Sequence, residues 1–160
     1  MMNEAIEDFR RTVEEASTRL LLISEDESAR PRGPGKWSAK EVVGHLIDSA
    51  SNNHQRFVRA QFTDDLTFPG YEQEQWVKVQ RYASAPWPQL VLLWKSFNLH
   101  LAHLMEAVPG DELKKQRRHH NLDQIAWKTV SKDQPVTLEY FMRDYIGHLK
   151  NHLGQVLGEN

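Results

Sequence analysis

The sequence predicts an all-α protein in which four long helices pack as one bundle. Apolar residues recur at steps of three and four in four separate segments, which is the period of a helix with one buried face. Proline and glycine interrupt the connections between these segments, as they do in loops. No stretch sustains the two-residue alternation of a half-buried strand, so we expect no β-sheet.

Each of the four segments carries an apolar stripe that needs a partner surface to be buried. In chain order, the stripes consist of Ile6, Phe9, Val13, Ala16, Leu20 and Ile23; then Val42, Leu46, Ala50, Phe57 and Ala60; then Leu90, Leu93, Trp94, Phe97, Leu101, Leu104, Met105 and Val108; and finally Leu138, Phe141, Tyr145, Leu149, Leu153 and Val156.

The starts of the second, third and fourth helices carry residues that favour helix initiation. Ser38 and Glu41 fit a capping box at the start of the second helix. Pro86 and Pro88 suit the first turn of the third helix, where a missing N–H costs little. Thr137 is the expected N-cap of the fourth helix.

The three connections differ in length and cover residues 25–37, 63–85 and 109–136. The second connection is long enough to cross the bundle, so we expect the second and third helices to run parallel. It also has the pattern of a short helix around residues 71–82. Connections of this length are often functional.

Composition restricts the class of protein. A chain of 160 residues is the usual size of one domain, so we treat residues 1–160 as a single domain. The net charge of −2 gives no basic field for nucleic acid, and we expect the basic run at 114–118 to be a solvated loop. No apolar run is long enough to span a bilayer, and the acidic N-terminus is unlike a secretory signal. We therefore expect a cytoplasmic protein without a membrane partner.

Three of the eight histidines lie at the edges of buried helix faces. His148 and His152 are one turn apart on the fourth helix, and His45 lies beside the stripe of the second helix. An inward i, i+4 pair can capture one metal ion, and bundles build metal sites from facing helices. Ordinary hydrogen-bonded core histidines are the alternative. We expect His54 and His103 to be exposed, and the position of His100 is ambiguous.

The residues around these histidines resemble the DinB-like superfamily, within it the YfiT-like, bacillithiol-transferase-like branch. The resemblance is carried by KWSAKEVVGHLIDS at 36–49, by VTLEY at 136–140 with YIGHLKNHLGQV at 145–156, and by FPGYE at 68–72 with Trp76. Some relatives carry a further histidine at the position of Ala50, so any role of that histidine is absent here.

This resemblance implies an up-down-down-up four-helix bundle that is often a homodimer. It implies a divalent ion of the nickel, zinc or iron class held by His45, His148 and His152. It further implies transfer of a low-molecular-weight thiol to an electrophilic small-molecule substrate. Because the chain contains no cysteine, such a thiol would have to come from a co-substrate.

Three histidine ligands leave a divalent ion with an open position, which is the catalytic arrangement. Nitrogen ligands do not select one metal. Asp48, one turn from His45, is a candidate catalytic or supporting carboxylate, and a solvated acid is the alternative. Tyr145 and Tyr71 are candidates to line the pocket or donate a proton, with plain aromatic packing as the alternative. A metal-dependent hydrolase and a non-catalytic metal-binding stress protein remain alternative functions.

Overall fold

The computed structural model describes residues 1–158 and is built from four long helices joined by connections with shorter ones. The long helices are α1 (Met2–Leu21), α3 (Ala39–Arg59), α5 (Trp87–Ala107) and α8 (Leu138–Leu157). The short helices are α2 (Glu25–Ala29), α4 (Gln73–Val79), α6 (Gly110–Lys114) and α7 (Leu122–Ile125). Within residues 1–158 the only β-type pairing consists of three isolated bridges, so the all-α prediction is confirmed.

Helices α1 and α5 run antiparallel. The indole N–H of Trp87, at the start of α5, donates to the carbonyl of Leu20 near the end of α1 at 2.9 Å. Toward the other end of the pair, Arg10 of α1 forms an ion pair with Glu106 of α5 at 2.8 Å. Two contacts at opposite ends of the pair fix this direction.

Helices α3 and α5 run parallel, as the sequence predicts. Glu25 of α2 joins their N-terminal ends, because its carboxylate pairs with Lys40 and accepts from the backbone N–H of Trp87. Further along both helices, the ring of His54 packs on Phe97 with a centroid distance of 5.8 Å. The connection between residues 60 and 86, which contains the predicted short helix as α4, therefore returns across the bundle.

Helix α8 runs parallel to α1 and antiparallel to α3. Asp8 of α1 pairs with Lys150 of α8. The ring of Phe57, late in α3, packs edge-on against Phe141, early in α8, at 5.6 Å. The four long helices thus have the up-down-down-up order that the resemblance implies.

The centre of the bundle is aromatic. The ring of Tyr145 lies edge-on to Phe57 at 5.9 Å and to Phe9 at 6.2 Å. Both phenylalanines are fully buried, so each tyrosine contact excludes water. Truncating such a ring costs about 3–5 kcal/mol because it leaves a cavity. This core holds α1, α3 and α8 in register below the histidines.

Two of the predicted caps are present. The Ser38 hydroxyl accepts from the backbone N–H of Glu41 at 3.3 Å, and the Thr137 hydroxyl accepts from that of Tyr140 at 3.1 Å. The reciprocal hydrogen bond of the capping box is not formed, because the Glu41 side chain does not accept from the backbone N–H of Ser38. Both caps set the start of a helix that carries candidate ligands.

The prediction that the basic run 114–118 is solvated was wrong for Arg117. This side chain is 1% exposed, and its guanidinium pairs with Glu112 at 2.9 Å and donates to the Ala60 carbonyl at 3.2 Å. His120 is also buried, with its Nε2 2.8 Å from the Gln134 carbonyl. Within the described residues, no helix combines the length and the hydropathy needed to cross a membrane.

Candidate metal centre

The structure brings His45 of α3 together with His148 and His152 of α8. The Nε2 atom of His148 lies 3.4 Å from that of His45 and 3.1 Å from that of His152. Each residue offers a ring nitrogen, and all three nitrogens lie within 4.8 Å of one another. His45 is fully buried, whereas His148 and His152 are half-buried.

The local sequence explains why the three rings converge. His148 and His152 share one face of α8 because four residues rotate a helix by about 40° beyond one full turn. The antiparallel crossing of α3 and α8 places His45, in the second turn of α3, opposite that face. The ring of Trp37 also packs on that of His45, with a centroid distance of 5.2 Å.

Hydrogen bonding among neutral imidazoles cannot satisfy this arrangement. Each Nε2 has either one hydrogen or one lone pair in the plane of its ring, so His148 Nε2 can make one good bond, to His45 or to His152. A cation between the rings would satisfy three lone pairs at once. Two imidazole nitrogens at about 2.0–2.1 Å from a tetrahedral ion lie roughly 3.3 Å apart. The two observed separations of 3.1 and 3.4 Å fit this requirement.

The outer nitrogen of the His152 ring supports the same interpretation. The Nδ1 of His152 lies 3.0 Å from the side-chain oxygen of Gln155, which can only accept a hydrogen bond. His152 therefore carries its hydrogen on Nδ1, and the lone pair of Nε2 faces the other two rings. The Nδ1 of His45 is buried and has no partner among the described residues.

Burial keeps the three rings neutral. Loss of hydration, with a smaller contribution from the neighbouring histidines, lowers the pKa of His45 to about 3 and that of His148 to about 4. The pKa of His152 is also lowered, mainly by burial. Neutral imidazoles are the form that binds a metal ion.

The histidines lie in a cleft of about 1060 Å³, large enough for a small molecule. One wall is the loop after α7. Asp144 of α8 anchors it by accepting from the backbone N–H groups of Trp127 and Lys128, both at 2.8 Å. The indole of Trp127 rests over Gly147, where an added Cβ would lie 3.0 Å from the ring. The lining also includes Tyr71 and Trp76, whose rings are 5.1 Å apart.

Asp48 is buried, is not among the residues that line the cleft, and has its own partners. It accepts from the hydroxyl of Tyr82 at 2.7 Å and from the amide of Gln80 at 2.8 Å. Burial raises the pKa of Asp48, and these two bonds oppose the rise. No hydrogen bond joins Asp48 to His45, so the supporting role foreseen from the sequence stays a prediction.

Tyr145 lines the cleft with its ring and is otherwise part of the core. Its hydroxyl is buried and donates to the side-chain oxygen of Asn98 at 2.5 Å. Burial raises the pKa of Tyr145 well above its ordinary value. This geometry favours packing, the alternative to proton donation, and a catalytic role of Tyr145 stays a prediction.

The other histidines lie away from the centre. His103 is exposed, as expected, and so is His100. The expectation that His54 is exposed was wrong, because its ring is half-buried against Phe97 and lies 5.3 Å from that of His100.

Two residues of the cleft were missed from the sequence, Asp144 and Arg56. Helical spacing could have found both. Asp144 precedes His148 by one turn of α8. Arg56 follows His45 by 11 residues, which places them about 20° apart on the surface of α3.

Fold and site together define an all-α bundle protein with a candidate three-histidine metal centre. The chain matches the DinB superfamily over residues 5–156 and belongs to that family. The resemblance to YfiT is confirmed as a likeness of fold. YfiT from Bacillus subtilis, described as "a probable metal-dependent hydrolase with an unusual four-helix bundle topology", superimposes with a TM-score of 0.74. The match covers 98% of this chain and 86% of YfiT at 18% identity, so it shows the fold alone.

Curated relatives are similarly distant. A protein of Oceanobacillus iheyensis is 21% identical over 151 residues, which cover 92% of this chain and 84% of the relative. A protein of Bacillus cereus is 21% identical over 119 residues, 74% of this chain and 68% of the relative. Both carry the name "putative metal-dependent hydrolase". The names of both relatives describe a metal-dependent protein, and the three-histidine cluster of this chain could hold a metal ion.

Proposed function

We propose that this protein is a metal-dependent enzyme that transfers a low-molecular-weight thiol to an electrophilic small molecule. The observation that carries the proposal is the convergence of three neutral histidines at the wall of a cleft that can admit a small molecule. His45, His148 and His152 are the proposed ligands, through Nε2. The proposed ion belongs to the nickel, zinc or iron class.

A divalent ion in this position would lower the pKa of a thiol or a water molecule that reaches its open coordination site. The side chains have supporting tasks. Gln155 fixes the orientation of the His152 ring, and Asp144 holds the loop of Trp127 as a wall that limits access of water. The nucleophilic thiol has to come from outside, since the chain contains no cysteine.

The test is consumption of thiol by the protein loaded in turn with zinc, nickel or ferrous iron. Bacillithiol, mycothiol, glutathione, coenzyme A and cysteine are each offered with monochlorobimane, and the thioether is measured by mass spectrometry. We expect one thiol consumed per electrophile, only with metal present. His148→Ala should abolish the rate with helical circular dichroism intact, and His103→Ala, at an exposed histidine, should leave it unchanged. Thiol consumption at background with every metal would exclude the transferase for this panel.

Hydrolysis at the same centre is the second candidate function. The names of the relatives from Oceanobacillus iheyensis and Bacillus cereus favour it. A hydrolase would release a cleaved product without any thiol, so product analysis separates the two reactions. If metal binds and neither product forms, a non-catalytic metal-binding protein becomes the better description.

The assembly and the setting of the protein are proposed from the sequence. We propose a homodimer, which light scattering after size exclusion would test. A cytoplasmic location and the lack of a nucleic-acid partner rest on composition and charge.

A further inference from the structure

The cleft contains a buried polar row that the three histidines do not explain. His45, Ser49, Asn53 and Arg56 follow one another at steps of three and four along α3, so they share one helix face. All four are buried and all four line the cleft. The row ends at Arg56, about 16 Å along the helix axis from His45.

Arg56 is a buried guanidinium without an acidic partner. Its side chain is among the buried charged groups, at 5% exposure. It donates to the Pro69 carbonyl at 2.9 Å and makes a long contact of 3.5 Å to the Asn53 side-chain oxygen. Its guanidinium carbon also lies 5.9 Å from the ring centroid of Tyr71 and 5.9 Å from that of Phe141. Within residues 1–158, no carboxylate lies within ion-pair distance of it.

Arg117 shows how this chain compensates the charge of a buried arginine that serves the fold. Its guanidinium pairs with Glu112 and also donates to three backbone carbonyls, those of Ala60, Glu112 and Lys115. Burying a charge is costly unless it is paired. Arg56 lacks that compensation, although it is nearly as well buried.

Asp144 does not supply the missing charge. It lines the same cleft, but its two oxygens accept from the backbone N–H groups of Trp127 and Lys128. Glu72, the other acidic residue of the lining, is exposed. Among the described residues that line the cleft, Arg56 is the sole lysine or arginine, so it is the one fixed cation there.

We infer that Arg56 is the receptor for an oxyanion, a carboxylate or a phosphate, carried by the small molecule that occupies this cleft. A planar guanidinium with free N–H donors binds either group through two parallel charge-assisted hydrogen bonds. Tyr71 and Phe141 exclude water from that contact, which strengthens it. This inference deepens the proposed function, because it places an anionic group on the thiol or on the electrophile.

The distance from Arg56 to the histidines also restricts the ligand. One molecule that reaches both ends must carry its anionic group many bonds away from its reacting atom. Ser49 and Asn53 lie between the two ends and can bind polar groups in its middle. A ligand of small-peptide or glycoside size with a terminal oxyanion meets these requirements, whereas a short apolar thiol does not.

The experiment is titration calorimetry of the full-length protein near neutral pH with succinate, inorganic phosphate and the uncharged analogue succinamide. It is done on the metal-free and on the zinc-loaded protein, because an anion can also bind the ion directly. Arg56→Gln removes the charge, and Arg56→Lys keeps it without the planar fork. Arg59→Gln removes the same charge from the exposed side of α3 and is the matched control.

We expect succinate or phosphate, but not succinamide, to bind the wild type with and without zinc. Arg56→Gln should weaken that binding about tenfold or more, Arg56→Lys less, and Arg59→Gln not measurably. The preferred anion identifies the group that the cleft accepts. Because neither anion is a thiol, the result does not depend on whether thiol transfer is observed.

Two results would overturn the inference. One is the absence of anion binding to the wild type at millimolar concentrations, and the other is equal binding by Arg56→Gln. The melting temperature distinguishes a ligand-binding role of Arg56 from a structural one. We expect Arg56→Gln to melt no lower than the wild type without ligand, since it removes an uncompensated charge. If the variant does not fold, perturbation of the Arg56 side-chain N–H resonance by succinate in the wild type decides the question.

Discussion

Asp144 holds the backbone of Trp127 against α8, with the Trp127 N–H donating to Asp144 Oδ2 at 2.8 Å. The second oxygen accepts from the N–H of Lys128, so one carboxylate of α8 orders the loop that walls the cleft. The same helix thus carries two candidate ligands and the anchor of the wall beside them.

Replacing Asp144 by alanine should free this loop. Two backbone N–H groups lose a buried acceptor, which costs roughly 2 kcal/mol in the free energy of unfolding. Urea unfolding measures that loss, and limited proteolysis should find new cleavage between residues 126 and 130. Glu139→Ala, which removes an i, i+4 ion pair with Arg143 on the same helix, is the control and should cost about 0.5 kcal/mol. Equal losses in the two variants would contradict the anchoring role.

Gly44 should not tolerate alanine. A Cβ at this position would lie 2.2 Å from the ring of Tyr82, which in turn donates to Asp48. We expect Gly44→Ala to lower the free energy of unfolding by about 1–3 kcal/mol, because the buried tyrosine has to move. Gly110→Ala is the matched control, since nothing lies within 4 Å of its added Cβ. Thermal unfolding compares the two, and a Gly44→Ala protein as stable as Gly110→Ala would refute the tight packing.

The fold could be predicted from the sequence because its signals are local. Each of these signals is contained in a single helix. They are the steps of three and four, the caps at Ser38 and at Thr137, and the i, i+4 pair of histidines. The partners of Asp48, Arg117 and Asp144 could not be predicted in this way. Tyr82 is 34 residues from Asp48, and Ala60 is 57 residues from Arg117. Burial of such charges depends on which loops return to which helix, and periodicity carries no information on that.

The metal ligands can be tested by direct binding. His45→Ala, His148→Ala and His152→Ala should each abolish tight binding of one zinc ion per chain, measured by calorimetry or by metal analysis after gel filtration. His119→Ala, at an exposed histidine, should leave the stoichiometry unchanged. His120→Ala should also leave it unchanged but should lower stability, because that ring is buried and hydrogen-bonded. Undiminished stoichiometry in the first three variants would refute the assignment.

Gln155 should tune the affinity of the centre without being a ligand. Its side-chain oxygen fixes the His152 ring through Nδ1 at 3.0 Å. Loss of such a partner lowers metal affinity by about 10–100-fold. We therefore expect Gln155→Ala to bind one zinc ion with that reduced affinity, by competition with a chelating dye. Asn151→Ala, at an exposed lining residue of the same helix, is the control. Unchanged affinity of Gln155→Ala would show that the hydrogen bond does not orient the ring.

The pH dependence of the metal-free protein should report the buried histidines. An unperturbed histidine has a pKa near 6.5, and competition from protons would then weaken metal binding near that pH. In the folded protein the pKa of His45 is lowered to about 3 and that of His148 to about 4. The unfolded chain therefore takes up protons first as the pH falls. The stability contributed by these neutral rings is complete above about pH 6.5 and is lost progressively down to about pH 4 for His148 and about pH 3 for His45.

We expect the free energy of unfolding of the metal-free protein, measured in urea, to fall between neutral pH and about pH 5. His148→Gln removes one titrating ring and should show a smaller fall over the same interval. Zinc should still bind the folded protein below pH 6.5, since its histidines stay neutral there. The same fall in the variant and in the wild type would mean that His148 does not titrate differently in the folded and unfolded states. Loss of zinc at pH 6.5, with the fold intact by circular dichroism, would contradict the lowered pKa values.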